Sequence, residues 1–483
     1  VQGEEDGVSG HMSSNIARAY WRFTVLWLIA GSVTGILAAL SIISPQFLAA
    51  HPILGYGRLV QVHRTLMIHG VMFSVLFGCC YALLPRLARS KYEPGTLSRF
   101  LTWASFILVL LGTVLILLGH GSGREYSDLP PLIAFLFWLY LIATAFDIGR
   151  IVSGSGLIRQ SPATGLLFLA AVIPSIAYVF ALPGWWGAGG FDVVRTWIGW
   201  RTLFILSFTI GAIGIAVWHS GSIRPRRGLS TGGFVLGLAL VLTLAPFMGI
   251  VHVLETPVTD SLRAIGAFTS ILAGTGILLI ISSLWTGSIT SPPGLLVFAG
   301  LTGIAAACVQ GIAMTLPPIH TAFHFTLNTP AHAHIALGGI LLVFIAGTLI
   351  LVPRITRASI KRTELVSTGS GLMVSGIAII FLFMAVIGAI QAMGHIQNLS
   401  HIDWLPMFRW LHIGILAGGI AFLTGSVLTL HPVLKAMNSV PDRPDVPGPV
   451  ESDSEDDAES DETVEAEEIR MEPAEEENEG GDE

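Results

Sequence analysis

The sequence predicts an all-α polytopic membrane protein of twelve transmembrane helices, and three observations carry that reading. Hydrophobic residues make up 52% of the chain and charged residues only 12%, with mean hydropathy +0.72, a balance that excludes an ordinary soluble domain or a nucleic-acid binder. Runs of about 20 apolar residues, the length a helix needs to cross the hydrocarbon core, recur along the chain. Basic residues gather in alternate connections, as expected of helices that pass back and forth.

Each span has its own signals. The first run, 20–44, follows a polar stretch from Val1 to Ala19 with neither a cationic leader nor a small-residue cleavage site, so it is expected to stay as the first helix. The second, 60–85, opens near His63 and is followed by Arg86, Arg89 and Lys91. Next come 100–119 and 132–152, the latter carrying Asp147, with Arg150 and Arg159 flanking the turn into 163–183. Trp185, Trp186 and Trp197 precede the sixth run, 200–218, and suit an interfacial belt. Arg224, Arg226 and Arg227 follow it. The seventh, 231–254, closes near His252, and 261–286 and 293–316 come after it. The tenth, 329–353, opens on His332 and His334 and is followed by Arg354, Arg357, Lys361 and Arg362. Runs 368–393 and 409–432 complete the set.

With Arg18, Arg22 and Lys435 added, these cations lie on one side, which places both termini in the cytoplasm of an inner or plasma membrane protein. Arg58, Arg64, Arg124, Arg195, Arg201, Arg263 and Arg409 fall on the other side. Residues 1–19 read as a cytoplasmic segment, 20–435 as the membrane domain and 436–483 as a disordered cytoplasmic tail. From 451 to 483 there are 18 acidic residues and one base; the whole chain has 32 and 25, so residues 1–450 keep 14 acids against 24 bases. The membrane body is therefore cationic. Cys79, Cys80 and Cys308 all fall inside apolar runs and read as packing residues.

The chemistry centres on His332-Ala333-His334. Residues two apart on a helix are rotated by about 200°, so the two imidazoles leave opposite sides of one rod at nearly one depth. They cannot share a metal, yet each can hold a different heme iron as a neutral axial ligand. The bland alternative is histidines facing water at the membrane interface. His63, His252, His332 and His334 all fall at the outward ends of their spans, and His63 could supply a second axial ligand.

Tyr56-Gly57-Arg58-Leu59 with His63 resembles the start of helix 2 in subunit I of the heme-copper oxidase superfamily, especially its cbb-type cytochrome oxidases and the related nitric oxide reductases. His324-Phe325-Thr326, His332-Ala333-His334 with Ala336-Leu337-Gly338, and Leu351-Val352-Pro353-Arg354 resemble its helix 9 to 10 region. The resemblance covers roughly residues 20–435. It implies a twelve-helix subunit I-like bundle carrying two hemes, expected to be b-type, with His63 and His334 as the axial pair of one and His332 as the proximal ligand of the other. Arg58 resembles a partner of a heme propionate, against the alternative of a headgroup-facing arginine, and His324 is a second such candidate.

The resemblance weakens at the second metal. The family holds copper or non-heme iron with one histidine from helix 6 and a consecutive pair from helix 7. Here Trp200 and Val251 align with two of those ligands and only His252 remains, as a remnant metal ligand, a heme ligand or a structural histidine. A valine has no lone pair and an indole nitrogen only donates, so copper and non-heme iron are expected to be absent. The expectation is a diheme membrane cytochrome b passing electrons between quinone and an outer-face redox partner; the alternative is a terminal oxygen or nitric oxide reductase with an atypical site. The chain lacks Cys-x-x-Cys-His, so a c-type cytochrome would be a separate partner subunit.

Overall fold

The computed structural model describes residues 2–439 apart from 49, 91, 93, 154–160, 183–189, 224–230, 254–258, 285–288 and 400; the side chains of 2–14, 190, 191, 221–223, 231, 249, 251–253 and 401–407 are also outside the description. The acidic tail, Lys91, Arg159, Trp185, Trp186, Arg224, Arg226 and Arg227, and the side chains of Val251 and His252, therefore lie outside the described residues.

The protein is a helical bundle. In chain order its spans are α1 (Asn15–Ile43), α2 (Tyr56–Leu87), α3 (Thr96–Leu117), α4 (Pro131–Ser153), α5 (Pro162–Ala181) and α6 (Asp192–Ser220). The short α7 (Thr231–Leu244) follows, then α8 (Asp260–Leu284), α9 (Pro292–Met314), α10 (Asn328–Thr356), α11 (Thr363–Ile396) and α12 (Phe408–Asn438). All but α7 are long and apolar enough to cross a membrane, which makes 11 among the described residues. The expected seventh span is α-helical only to Leu244 and continues as a 3-10 helix, Ala245–Val253. Pro246 accounts for the change, because its ring lacks an N–H and clashes with the carbonyl one turn back.

Burial sorts the helices into layers. Of the most apolar window in each helix, 94% is buried in α2 and 72% in α6 and in α10, against 28% in α1 and α11. Helices α2, α6 and α10 thus form the interior. Small residues bring α9 against α10: a Cβ at Gly300 would lie 2.5 Å from the Gly339 carbonyl oxygen, so only glycine permits that approach. Caps fix the ends. Ser291 accepts from the Gly294 N–H at 3.3 Å to start α9, and Arg357 at φ 54° closes α10. Two interior helices carry a π segment, Leu66–Met72 in α2 and Leu203–Thr209 in α6. Each rotates everything beyond it out of α-helical phase.

Candidate functional site

His63, in the second turn of α2, and His334, in the second turn of α10, meet across the interior. Their ring centroids are 6.0 Å apart and the ring planes lie within 13° of parallel. Both Nδ1 atoms are anchored to backbone oxygens, His63 to Gly31 and His334 to Pro330, each at 2.8 Å. A carbonyl can only accept, so each Nδ1 carries the proton and each Nε2 keeps its lone pair. Gly35 makes room for the first ring, since a Cβ there would sit 2.8 Å from His63 Nδ1. Metal–imidazole bonds of about 2 Å on either side of one ion put the ring centroids roughly 6 Å apart. The separation of the two rings matches that spacing.

His332 leaves α10 in the other direction. With Ala333, Ala336, Leu337 and Ile340 it lines a cavity enclosing about 1190 Å³ of empty space, its open mouth included, and His334 is not among the lining residues. Gly311 of α9 leaves the ring its place, because a Cβ there would fall 3.0 Å from His332 Cε1. His332 Nδ1 is buried without a hydrogen-bond partner, a polar atom awaiting satisfaction.

The same cavity holds three groups that sequence reasoning did not assign to it: Arg201 of α6, His320, and Tyr126 from the connection between α3 and α4. His320 lies in a two-turn helix, Pro317–Phe323, and its ring is 4.6 Å from that of His324, centroid to centroid. The four-residue spacing of the two histidines was the available signal, since it puts both on one helical face. Burial, with repulsion from His320 and the Arg201 guanidinium, holds the His324 imidazole down to about 4, so the ring is neutral near pH 7. Arg201 followed Trp200 in sequence and carried no signal of its own.

Trp200 corrects the sequence reading of this wall. It does not face the His332 cavity. Its indole N–H donates to Ser127 Oγ at 2.8 Å, and its ring packs against Tyr178 and His69, both at 5.8 Å. The residues that α6 turns toward the cavity are Trp197, Arg201, Phe204 and Ile205. A one-residue offset moves a side chain about 100° around a helix, and sequence alignment alone did not reveal it.

Arg58 donates to the Leu117 carbonyl at 2.9 Å and so caps the C-terminal end of α3, where unsatisfied carbonyls favour a cation. Beside it, Arg64 donates to Asp128 from Nε at 2.9 Å and Nη2 at 2.7 Å. Asp128 is fully buried, and burial outweighs the pull of Arg64, raising its carboxyl to about 6. His69, in the π segment of α2, is paired: its Nε2 lies 2.9 Å from the hydroxyl of Tyr178 on α5. Near the opposite end of the bundle, buried Asp147 accepts hydroxyl hydrogens from Tyr81 at 2.6 Å, Tyr92 at 2.7 Å and Ser98 at 2.5 Å. Gln310 donates to Asn328 Oδ1 at 2.8 Å.

Comparison with known proteins identifies the family. The family described as cytochrome C and quinol oxidase polypeptide I matches residues 15–421. The cbb3-type cytochrome c oxidase subunit CcoN1 of Stutzerimonas stutzeri is 23% identical over 406 residues, covering 79% of this chain and 84% of the relative. A cytochrome c oxidase subunit 1 homolog of Agrobacterium tumefaciens (strain T37) is 23% identical over 444 residues, 85% of this chain and 81% of the relative. A solved heme-copper terminal oxidase dimer shares the fold, with TM-score 0.70 and 15% identity over 88% of this chain and 84% of that one. A match across most of the membrane domain, with the same helical architecture, makes this multi-pass membrane protein a member of the heme-copper oxidase subunit I family.

Proposed function

We propose that the protein is a diheme b-type membrane cytochrome that moves electrons between the quinone pool and a redox partner at the outer face, without a second metal beside the second heme. The observation that carries the reading is the His63–His334 pair, whose 6.0 Å separation and anchored Nδ1 atoms leave two neutral nitrogens suited to one iron. His332 would hold the second heme from its own cavity, and its unpartnered Nδ1 and the space left by Gly311 fit that assignment. When bound, hemes supply reversible one-electron chemistry.

The residues around the two positions do the rest. Gly31 and Pro330 fix the tautomers, the buried surfaces of α2 and α10 exclude water, and Arg58 and the Arg64–Asp128 pair tie α2 to the neighbouring connection. Loss of the second metal is supported by the residues that α6 turns toward the cavity, Trp197, Arg201, Phe204 and Ile205, none of which offers a metal a lone pair. A plasma membrane location, cytoplasmic termini and a c-type cytochrome or other redox partner subunit belong to the same proposal.

The alternative is a terminal oxygen or nitric oxide reductase, favoured by the presence of an open cavity beside His332. His334→Ala and His332→Ala separate the two heme assignments: each is expected to remove one heme and leave the spectrum of the other. Retention of both hemes in either variant would contradict the proposal.

A further inference from the structure

We propose that Tyr178 is a one-electron redox site, a tyrosine that gives up its electron by way of Trp200 and its phenolic proton to His69. The inference rests on the assignment of a heme to His332, because the oxidant it names is that heme after reaction with hydrogen peroxide.

Three features converge. First, the phenol has a base in contact with it, since its oxygen lies 2.9 Å from His69 Nε2. The direction of that bond follows from the groups each arrangement leaves over. His69 Nδ1 is buried without a hydrogen-bond partner. With the ring proton on Nδ1, Tyr178 donates to the Nε2 lone pair and a single N–H stays unpaired. With the proton on Nε2, the ring donates to the phenol, and both the phenolic O–H and the Nδ1 lone pair stay unpaired. The first arrangement strands fewer buried polar groups, so Tyr178 is the donor. Second, the pair is dry. His69, Phe137, Tyr178 and Trp200 are each no more than 2% exposed. The His69 ring meets Phe137 edge to face at 5.1 Å, and Tyr178 and Trp200 likewise at 5.8 Å. With water excluded, the imidazole is the acceptor at hand for a phenolic proton. Third, oxidisable rings lead from the cavity to the pair. Tyr126 lines the His332 cavity, and its ring centroid is 6.0 Å from that of Trp200. The Trp200 ring is in turn 5.8 Å from that of Tyr178. The indole N–H, donating to Ser127 Oγ at 2.8 Å, holds Trp200 in this row.

The step balances as one electron and one proton. The electron passes from Tyr178 across the Trp200 and Tyr126 rings to the peroxide-oxidised heme, which is reduced by one electron. The O–H bond of Tyr178 breaks and an N–H bond forms at His69 Nε2. The products are a neutral phenoxyl radical and an imidazolium hydrogen-bonded to it. Such a site draws oxidising equivalents out of the cavity and into the packed interior between α2, α5 and α6.

Full-length ferric holoprotein in detergent is mixed with hydrogen peroxide, freeze-quenched and read by EPR, in the wild type, Tyr178→Phe and His69→Gln. The wild type is expected to give a tyrosyl radical signal that narrows when the chain is made with ring-deuterated tyrosine, and that forms more slowly in deuterium oxide because the proton moves with the electron. Tyr178→Phe should lose the signal and keep both hemes. His69→Gln tests the pair from its other side: it leaves a hydrogen-bond acceptor beside the phenol but no base, and should lose the signal with heme content unchanged.

A tyrosyl signal of wild-type size in Tyr178→Phe overturns the proposal, as does the absence of any tyrosyl signal in the wild type. An undiminished signal in His69→Gln, or a rate unchanged in deuterium oxide, also overturns it, by removing the proton transfer to His69. His332→Ala separates the two layers of inference. If it keeps both hemes, the heme assignment fails and the redox site fails with it. If it loses one heme while Tyr178→Phe leaves the radical signal unchanged, only the redox site fails.

Discussion

Gly35→Ala tests the proposed heme-holding pair, His63 and His334, through a residue packed behind the His63 ring. A Cβ at position 35 would lie 2.8 Å from His63 Nδ1 and 2.9 Å from Cε1, whereas ordinary contact begins at 3.4 Å. The ring must therefore retreat by about 0.6 Å, the difference between those distances. Retreat strains the 2.8 Å bond from Nδ1 to the Gly31 carbonyl, worth about 1 kcal/mol. Overpacking a buried site costs roughly 1–3 kcal/mol more. The sum, about 2–4 kcal/mol, falls on the geometry through which His63 and His334 would share one iron. The assay is heme content and the low-spin absorption and EPR signals of purified protein, with Gly57→Ala as control, because a Cβ at Gly57 has nothing within 4 Å. The expected result is partial loss or altered signals of one heme in Gly35→Ala and none in Gly57→Ala. Identical low-spin signals and full heme content in Gly35→Ala would refute the reasoning.

Further predictions follow from the neighbouring groups. Asp128 has its folded value raised to about 6, so the folded state binds its proton more tightly than the unfolded chain; the stability this contributes is full below about pH 4 and is lost as pH rises through 6. Thermal melts should accordingly show the wild type losing roughly 3 kcal/mol relative to Asp128→Asn between those pH values, and a pH-independent difference would count against the buried carboxyl. Asp147→Ala removes the acceptor of three hydroxyls and should cost about 2–4 kcal/mol of stability, read as a lower melting temperature in detergent; an unchanged melt would mean those hydroxyls find other partners at no cost. Trp200→His should purify without copper, since position 200 faces Ser127 and Tyr178 and not the His332 cavity. One copper per chain in that variant would show that the wall had been misread.

The placement of His332 and His334 on opposite sides of α10 was legible because its information is local. His332 and His334 are two residues apart, and helical rotation alone sends them to opposite sides, which is how α10 presents them. The spans were legible from the length of their apolar runs, with α7 the exception at Pro246. His320 and Asp128 could not be placed in the same way, because they stand in the connections 315–327 and 118–130, whose paths no periodic pattern marks. Trp200 was misplaced because a buried membrane helix is apolar all round, so periodicity does not tell which side faces a cavity. The π segments in α2 and α6 add to this by shifting phase without any mark in composition. His69 is an example: α-helical rotation separates it from His63, but only the folded chain supplies its partner, Tyr178.

The central claim is that this member of the heme-copper oxidase subunit I family keeps its hemes and has lost its second metal. Metal and heme analysis of the purified full-length chain tests it most directly. Two b-type hemes and no copper or further iron per polypeptide are expected. Copper or non-heme iron at one equivalent per chain would contradict it and restore the reductase reading.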